Sequence, residues 1–361
     1  MPPRPLIVSS ALLLVTSLTH AAGAQTPERF TLRGANAAVY DPAGRVQVVA
    51  GVGSDVVVEV TRRGRDAARL RVLTGDARGQ DALRIVAPAG DLVYPAFGRR
   101  SSTSFRVRSD GTFGDDEGGR GFFSSMFSSD RLTVRGEGSG PEAWADVVVR
   151  VPAGRRVAVQ VGAGAATAQD VDGDLKLGTR GGEVTTERTR GRLVVGTGSG
   201  AVRVRDAQGS EVNLDTGSGD AEVRGVRADR LRVDTGSGSV QGGDFDVGDA
   251  NIDTGSGGAH LDRVRARRLK VDTGSGSVDL ELAGDVDDAR IDTGSGGLTL
   301  RIPPTLGATL DVDAGGGSIH TDVPVQVSRS ENGHLTGRVG DGKGRIVIDT
   351  GSGGVHIVPA R

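Results

Sequence analysis

The sequence predicts an all-β protein built as a single-stranded β-solenoid with coils of about 19 residues. Three observations indicate this fold. Glycine fills 59 of the 361 positions, while aromatic residues make up only 3%. A Thr-Gly-Ser-Gly motif recurs at a nearly constant interval, and alternating apolar and polar residues flank each copy. So few bulky side chains do not fill a thick globular core, whereas a thin stack of short strands needs only small and branched residues.

Charge and cysteine content exclude several classes of function. The chain has 44 basic and 46 acidic residues and a formal net charge of -2. No global charge therefore favours nucleic acid or acidic membranes as a partner. Cysteine is absent, which excludes disulfides and a lipid-carrying cysteine. We expect packing and hydrogen bonds alone to hold the fold.

Residues 1–24 have the pattern of a secretory signal peptide. Arg4 supplies a basic start, and a mostly apolar run follows from Leu6 to Leu18. Ala22-Gly23-Ala24 then forms an A-x-A cleavage site, which makes Gln25 the expected first residue of the mature chain. The run is shorter than the roughly 20 apolar residues of a membrane-spanning helix. We expect an exported protein without a transmembrane segment, located in the periplasm or at the cell surface.

Residues 25–160 are the less regular part of the sequence. Strand-like runs are separated by turns such as Asp41-Pro42-Ala43-Gly44. We interpret this region as irregular β coils that cap the solenoid, because a stack of repeats needs atypical end units. A Ser/Gly-rich stretch at 98–140 is predicted to be a flexible loop. Its apolar residues from Phe122 to Phe127 either dock on a partner or fold back on their own domain.

Residues 161–361 contain the regular repeat. The motif Asp-Thr-Gly-Ser-Gly begins at Asp215, Asp234, Asp253, Asp272, Asp292 and Asp349. A related Gly-Thr-Gly-Ser-Gly begins at Gly196, and weaker copies begin at Gly178 and Asp313. The long interval before the last full copy predicts one degenerate coil around 323–345 or a short insertion there.

Each repeat is predicted to form a strand, a glycine-rich corner, a second strand and a bend. Apolar residues alternate with polar ones beside the corners, as at Val212 and Leu214. The glycines would supply positive φ values and close backbone approach, and the Asp carboxylate would accept hydrogen bonds from amides two or three residues on. The second bend is expected at 227–230. Neighbouring coils would lie about 4.8 Å apart.

The repeated motif has other uses in proteins. Asp-Thr-Gly-Ser is a signature of aspartic proteases, whose site needs two copies facing each other across a cleft; stacked coils place copies side by side instead. Stacking aligns the carboxylates in a row, here called the aspartate file: Asp215, Asp234, Asp253, Asp272 and Asp292. The file is either a set of hydrogen-bonded corners facing solvent or a binding site for a cation such as calcium. We favour the corners, and predict no metal ligand, cofactor or catalytic residue.

A carbohydrate-active enzyme, such as a polysaccharide lyase or hydrolase on a β-helix scaffold, is the principal alternative to a binding protein. Such sites combine carboxylates with Arg or Lys on one face, and arginine is plentiful here. The histidines of the repeat region, however, show no metal-ligand spacing; they are His260, His320, His334 and His356. No set of nucleophile, base and orienting group is recognisable. We therefore expect a non-enzymatic protein, with a purely structural spacer as the third interpretation.

Two features together resemble the toast-rack family, a group of exported bacterial β-strand-repeat proteins of unknown function described as adhesins. One is the Val-Arg-Val-Pro-Ala-Gly run at 149–154, and the other is the series of Thr-Gly-Ser-Gly corners from about 178 to 357. The resemblance covers most of the chain beyond the signal segment. It implies a β-solenoid at the cell envelope with a role in adhesion or in sensing envelope stress. The family offers no catalytic residues to carry over.

We expect a monomer that binds through an extended face, where repeated weak contacts add together. Outward positions that mix Arg with Asp and Glu suit glycans, envelope polymers or envelope proteins. An unpaired terminal coil would expose strand edges that invite end-to-end association. The last coil of the sequence ends in Pro359 and Arg361, which we expect to blunt such an edge.

Overall fold

The computed structural model describes residues 26–88, 90–114 and 129–360. The predicted signal peptide at 1–24 and the apolar residues from Phe122 to Phe127 lie outside the described residues. Across the described ranges the protein is all-β, as predicted, with two 3-10 turns, Ala67–Arg69 and Pro95–Phe97, and no α-helix. Accordingly, these ranges hold no helix long and apolar enough to cross a membrane.

The strands, in chain order, are β1 (Glu28–Leu32), β2 (Asn36–Ala50), β3 (Val56–Arg63), β4 (Arg71–Ala77), β5 (Gln80–Val86), β6 (Gly90–Val93), β7 (Ser102–Arg108), β8 (Ser129–Arg135), β9 (Trp144–Val151), β10 (Arg155–Ala163), β11 (Ala166–Gln169), β12 (Gly173–Gly181), β13 (Val184–Arg190), β14 (Leu193–Thr197), β15 (Val202–Thr216), β16 (Ala221–Thr235), β17 (Val240–Thr254), β18 (Ala259–Thr273), β19 (Val278–Leu282), β20 (Asp288–Thr293), β21 (Leu298–Ile302), β22 (Ala308–Asp313), β23 (Ile319–Thr321), β24 (Gln326–Glu331), β25 (His334–Val339), β26 (Gly344–Thr350) and β27 (Val355–Pro359).

The four longest strands of the repeat region, β15 to β18, show how the sequence period becomes structure. Each spans 15 residues and pairs in parallel with the next, so that Val212 lies opposite Leu231 and Leu231 opposite Ala250. Buried and exposed positions largely alternate along each strand, because successive side chains of a strand point to opposite faces. Branched aliphatic side chains therefore fill the interior of the stack.

These long strands change direction at aligned positions. One position carries positive φ in four successive repeats, at Asp206, Gly225, Asp244 and Arg263. The ladder also skips Asp229, which lies in the predicted bend at 227–230. Pairing is therefore interrupted within the predicted bend, and the position with positive φ lies a few residues before it.

The glycines of the repeated motif are required because backbones of neighbouring coils approach closely. A Cβ on Gly238 would lie 2.0 Å from the carbonyl oxygen of Gly219, and one on Gly219 would lie 1.7 Å from that of Gly200. Any side chain would therefore clash with backbone. Among the described residues, no glycine of a full Asp-Thr-Gly-Ser-Gly copy has a positive φ. The predicted close approach is confirmed, and the predicted left-handed conformation is wrong for these corners.

The buried threonine of each motif ties its corner. At one corner the Gly238 amide donates to Thr235 Oγ1 over 2.9 Å, and at another Thr273 Oγ1 donates to the Gly276 carbonyl over 2.6 Å. The aligned threonines are all at most 1% exposed: Thr179, Thr197, Thr216, Thr235, Thr254, Thr273, Thr293 and Thr350. Buried hydroxyls need such partners, because an unsatisfied polar group in an apolar interior is costly.

Two aspartates of the regular copies do not take the predicted tying role. Asp234 accepts a hydrogen bond from Arg232 over 3.1 Å, and Asp272 accepts one from Lys270 over 3.1 Å. In the weak copy, by contrast, a carboxylate does bond the amide two residues on, where Gly315 donates to Asp313 over 2.9 Å. The prediction was therefore wrong for these two regular corners, because strand alternation turns Thr inward and Asp outward.

Parallel stacking begins before the boundary predicted at residue 160. β2 pairs in parallel with both β10 and β11. Asp41 lies opposite Val161, and Val161 lies opposite Thr179. Asp41 therefore occupies, in the first coil, the position that the buried threonines occupy in later coils. The strands β2, β10, β12, β14, β15, β13 and β11 form a closed ring of parallel pairings. The ring closes because β2 and β15 each bend and pair with two of its strands: β2 with β10 and β11, and β15 with β14 and β13.

Antiparallel strands cover both ends of the parallel stack. At the N-terminal end, β5 and β9 pair in parallel with β2, and each then pairs with an antiparallel strand, β4 and β3 respectively. β1 adds to β3 in the antiparallel sense. At the other end, β22 pairs antiparallel with β25, and β25 with β24. Residues 323–345 thus include the β24–β25 hairpin, which corresponds to the predicted short insertion and not to the alternative of a degenerate coil.

The last coil of the sequence is not the last coil of the stack. β26 lies between β20 and β22, so that Asp349 is opposite both Asp292 and Asp313. β27 lies between β21 and β23, with Val355 opposite both Leu298 and Ile319. The expectation that Pro359 blunts a terminal edge was therefore wrong, because its strand is internal.

The segment 98–140, predicted to be a flexible loop, contributes to a small second sheet. β7 pairs antiparallel with β8, which pairs in parallel with β6. Phe105 from this sheet stacks on Phe113 with ring centroids 4.9 Å apart. Its ring also fills the space where a Cβ of Gly162 would lie, 2.2 Å away. The small sheet therefore packs its aromatic residues on the main stack.

Candidate binding face

A column of outward polar residues runs along one side of the repeat stack. Each member lies directly opposite the next in the parallel ladders: Gln241, His260, Asp279, Thr299, His356 and His320. We call this column, with the residues beside it, the histidine face. It arises because equivalent positions of successive coils repeat on the same side, at the strand spacing of about 4.8 Å.

An open depression of about 770 Å³ follows the histidine face. Its lining includes small residues that adjoin the glycine corners: Ser239, Gly258, Ser277, Gly297, Gly354 and Ser318. The column of longer polar side chains also lines it. The depression therefore results from the sequence pattern of these six coils, in which a Gly or Ser precedes the first strand residue after the corner.

His260 lies between two carboxylates. Its Nε2 is 3.2 Å from Asp262 Oδ1, and its Nδ1 is 3.2 Å from Asp279 Oδ2. Arg301 also pairs with Asp279, and Arg224 approaches Asp262 to 3.8 Å. The face therefore offers alternating hydrogen-bond donors and acceptors along the stack. Since these groups are partly exposed, their pairing energies are small and a polar ligand can replace them.

A second cluster lies at the end of the face, where His320 and His356 flank Asp322. Asp322 Oδ1 is 2.8 Å from His320 Nε2, and its Oδ2 is 3.0 Å from His356 Nε2. The hydrogen bond from His356, with the nearby charge of both imidazoles, lowers the pKa of Asp322. One ligand atom from each residue lies within 4.8 Å of the other two. No spacing in the sequence indicates this cluster, because His356 comes 34 residues after Asp322.

The structure aligns the aspartate file as predicted and extends it. Asp215 to Asp292 lie opposite one another in successive ladders, and Asp349 and then Asp313 continue the row. Burial raises the pKa of Asp253, and the charges of Asp234 and Asp272 raise it further. Among the described residues, the candidate metal-ligand groups do not include the file. It is a row of mutually repelling carboxylates, moderated by neighbouring basic side chains.

The fold and this face define an all-β repeat protein with a column of aligned polar strand positions along one side. Residues 124–358 match the model of the family described as Toastrack DUF4097. The chain therefore belongs to the Toastrack family, as the resemblance predicted. A solved structure described as a "putative cell adhesion protein" from Clostridium sporogenes is similar at 8% identity and a TM-score of 0.23, covering 92% of this chain and 100% of that one. No curated protein matches the sequence.

Proposed function

We propose that the parallel stack is a β-solenoid and that the protein is an exported, non-enzymatic envelope or surface protein that binds its partner through the histidine face. Pairing at an offset of one sequence repeat supports the solenoid, since each coil then stacks on the coil before it. The ring of seven parallel strands agrees with this. β15 contributes two sides of one coil, and two separate strands, β12 and β13, contribute the two sides of another.

The observation that carries the binding proposal is the depression of about 770 Å³ beside the aligned polar column. The small Gly and Ser residues of its lining leave room for a chain molecule to approach the backbone, and the column presents a polar group at each coil of the face. A polymer with regularly spaced hydroxyl or charged groups would contact several coils at once, and such contacts multiply in effect. Glycans and envelope polymers have this chemistry.

The charge state of the face supports binding without turnover. Glycoside hydrolysis needs a carboxylic acid held protonated beside a second carboxylate. On the histidine face, the hydrogen bond from His356 lowers the pKa of Asp322 and so favours its ionised form. Raised carboxyl pKa values occur at Asp253 and Asp292, in the aspartate file on the other side of the corners. Export rests on the predicted signal peptide at 1–24, and detection of the protein by cell fractionation outside the cytoplasm tests it.

Binding to an array of glycans and envelope polymers tests the face. The full protein is compared with the double variant His260→Ala/Thr299→Ala and with a control, Lys270→Ala/Arg290→Ala. The control side chains lie in β18 and β20, on the other side of the glycine corners, where they are opposite each other. We expect the face variant to lose about tenfold or more in affinity, and the control to bind as the unmodified protein does.

Three outcomes would contradict the proposal. Equal losses in both variants would show that this face is not the binding surface. Shortened polymer products would show that the protein is an enzyme. An array without any bound polymer would exclude glycans and envelope polymers as the partner.

A further inference from the structure

We propose that His320, Asp322 and His356 form a site for a divalent transition metal ion, with zinc as the expected ion. This inference is independent of the proposed function, because metal binding itself is measured. Three side chains converge at one point, with ligand atoms no more than 4.8 Å apart. Asp322 lies between the two imidazoles, at 2.8 and 3.0 Å from their Nε2 atoms.

Adjacent strands bring these ligands together. His320 lies in β23, Asp322 follows that strand at once, and His356 is directly opposite His320 in β27. The Asp322 amide also donates to the carbonyl of Ile357 over 2.8 Å, which fixes Asp322 beside β27. The two imidazole rings are tilted with centroids 4.9 Å apart. The backbone therefore holds the ligands in place, and only side-chain rotations are needed for coordination.

The donor set favours zinc over calcium or magnesium. Two imidazoles and one carboxylate are typical zinc ligands, whereas calcium and magnesium prefer oxygen ligands only. In a tetrahedral site with bonds of 2.0–2.1 Å, ligand atoms lie about 3.4 Å apart. All three side chains are about half exposed or more, between 45% and 68%, so they can rotate by the small amount that this requires.

A bound ion would have two consequences for the molecule. Three protein ligands leave a fourth tetrahedral position open, and His320 and His356 also line the depression, so a carboxylate or hydroxyl of a bound molecule could fill that position. The ion would also link β23, a strand of only three residues, to the internal strand β27. Metal binding should therefore stabilise this end of the stack, because a ligand that binds only the folded state raises stability.

Titration calorimetry of the chelator-treated full protein with zinc chloride tests the site. We expect one ion per chain and a rise in melting temperature that a chelator reverses. His320→Ala, Asp322→Asn and His356→Ala should each weaken binding by about tenfold or more, since loss even of supporting groups around a metal costs 10- to 100-fold. His260→Ala and His334→Ala are the matched controls and should bind zinc normally.

Cobalt provides a second measurement that needs no variant. Replacement of zinc by cobalt in the unmodified protein should give the visible absorption of a tetrahedral site with nitrogen and oxygen ligands. Normal zinc binding by His320→Ala and His356→Ala, an equal loss in the His334→Ala control, or an octahedral cobalt spectrum would each overturn the proposal. Because the ligands are exposed, the variants should melt as the metal-free protein does.

Discussion

The regular coils and the N-terminal part of the chain fill their interiors in different ways. From β15 onward the interior is Val, Leu, Ile, Ala and Thr, and Phe245 is the sole aromatic residue beyond Trp144. The N-terminal part instead buries rings in mutual contact, such as Tyr40 against Phe113 at 5.7 Å and Tyr94 against Trp144 at 5.6 Å. Where parallel ladders continue from coil to coil, small side chains suffice. Where the stack gives way to antiparallel strands and a second sheet, larger side chains fill the irregular space.

The same difference appears within one column of the interior. The regular coils place a threonine at the corner position, and its hydroxyl is hydrogen-bonded. The first coil places Asp41 there, fully buried, with one carboxylate oxygen that has no hydrogen-bond partner among the described residues. At this corner position the regular coils thus satisfy the buried hydroxyl, whereas the first coil keeps a costly unsatisfied oxygen.

The largest expected effect comes from filling a corner between regular coils. Gly238→Val would place atoms against the backbone of the preceding coil, where even a Cβ lies 2.0 Å from the Gly219 carbonyl oxygen. We expect a loss of at least ~4 kcal/mol in the free energy of unfolding, enough to prevent folding of much of the stack. Thermal unfolding followed by circular dichroism measures it.

Gly316→Ala is the control for this substitution. Gly316 belongs to the weak corner copy, and nothing lies within 4 Å of a Cβ built there. It should melt like the unmodified protein. A normal melting temperature for Gly238→Val would show that the coils do not stack as closely as the structure has them.

A smaller effect is expected from removing one buried hydroxyl. Thr235→Val keeps the side-chain shape but deletes the acceptor of the Gly238 amide bond of 2.9 Å. We expect a loss of about 1–3 kcal/mol, because a buried polar group then lacks its partner. Chemical denaturation measures it. The exposed Ser237 of the same corner is the control, and Ser237→Ala should change stability by less than about 0.5 kcal/mol. Equal effects at both positions would contradict the role given to threonine.

The smallest effect concerns the buried carboxyl of the first coil. Burial raises the pKa of Asp41 well above its usual 3.8, so the folded protein keeps a proton that the unfolded chain releases. Its contribution to stability is therefore greatest below pH 3.8 and falls as the pH rises from there towards the raised value. Asp41→Asn should remove this loss of stability with rising pH. Near neutral pH the variant should unfold at a higher temperature than the unmodified protein.

Melting temperatures across the pH range test this prediction. The exposed Asp76→Asn is the control and should retain the unmodified pH profile. An unchanged profile in Asp41→Asn would show that the carboxyl ionises without cost, and that the first coil is as well satisfied as the others.

Much of the repeat architecture could be predicted because it depends on local pattern. The period, the alternation and the close approach at glycine corners all follow from residues near one another in the chain. The inward threonine was also within reach: Thr235 is two and four residues from the buried Val233 and Leu231, so strand alternation puts all three on one side. Both Asp and Thr side chains can accept hydrogen bonds from corner amides, so hydrogen-bonding capacity does not show which of them ties the corner. The alternation of inward and outward positions does show it.

The order of the last coils could not be predicted in this way. Val355 and Ile357 have the same alternation whichever coils they lie between, because every coil presents the same ladder. The local pattern therefore predicts that a coil forms there, but it does not predict which coils lie next to it. The cluster of His320 with His356 follows from that order, which is why no spacing in the sequence indicated it.

The position of the last coil sets a rule for how the molecule is assembled. Coils up to residue 302 can stack in the order in which the chain is made, but 308–321 cannot reach its final place until 344–359 has entered beside β20 and β21. In a chain that is made or exported from its N-terminus, the strands β20 to β23 therefore cannot complete their pairings until residues 344–359 are present. For the same reason, removal of the last 18 residues would not shorten the stack by its outermost layer: it would leave a gap inside it, with β20 and β22 left without the strand that joins them.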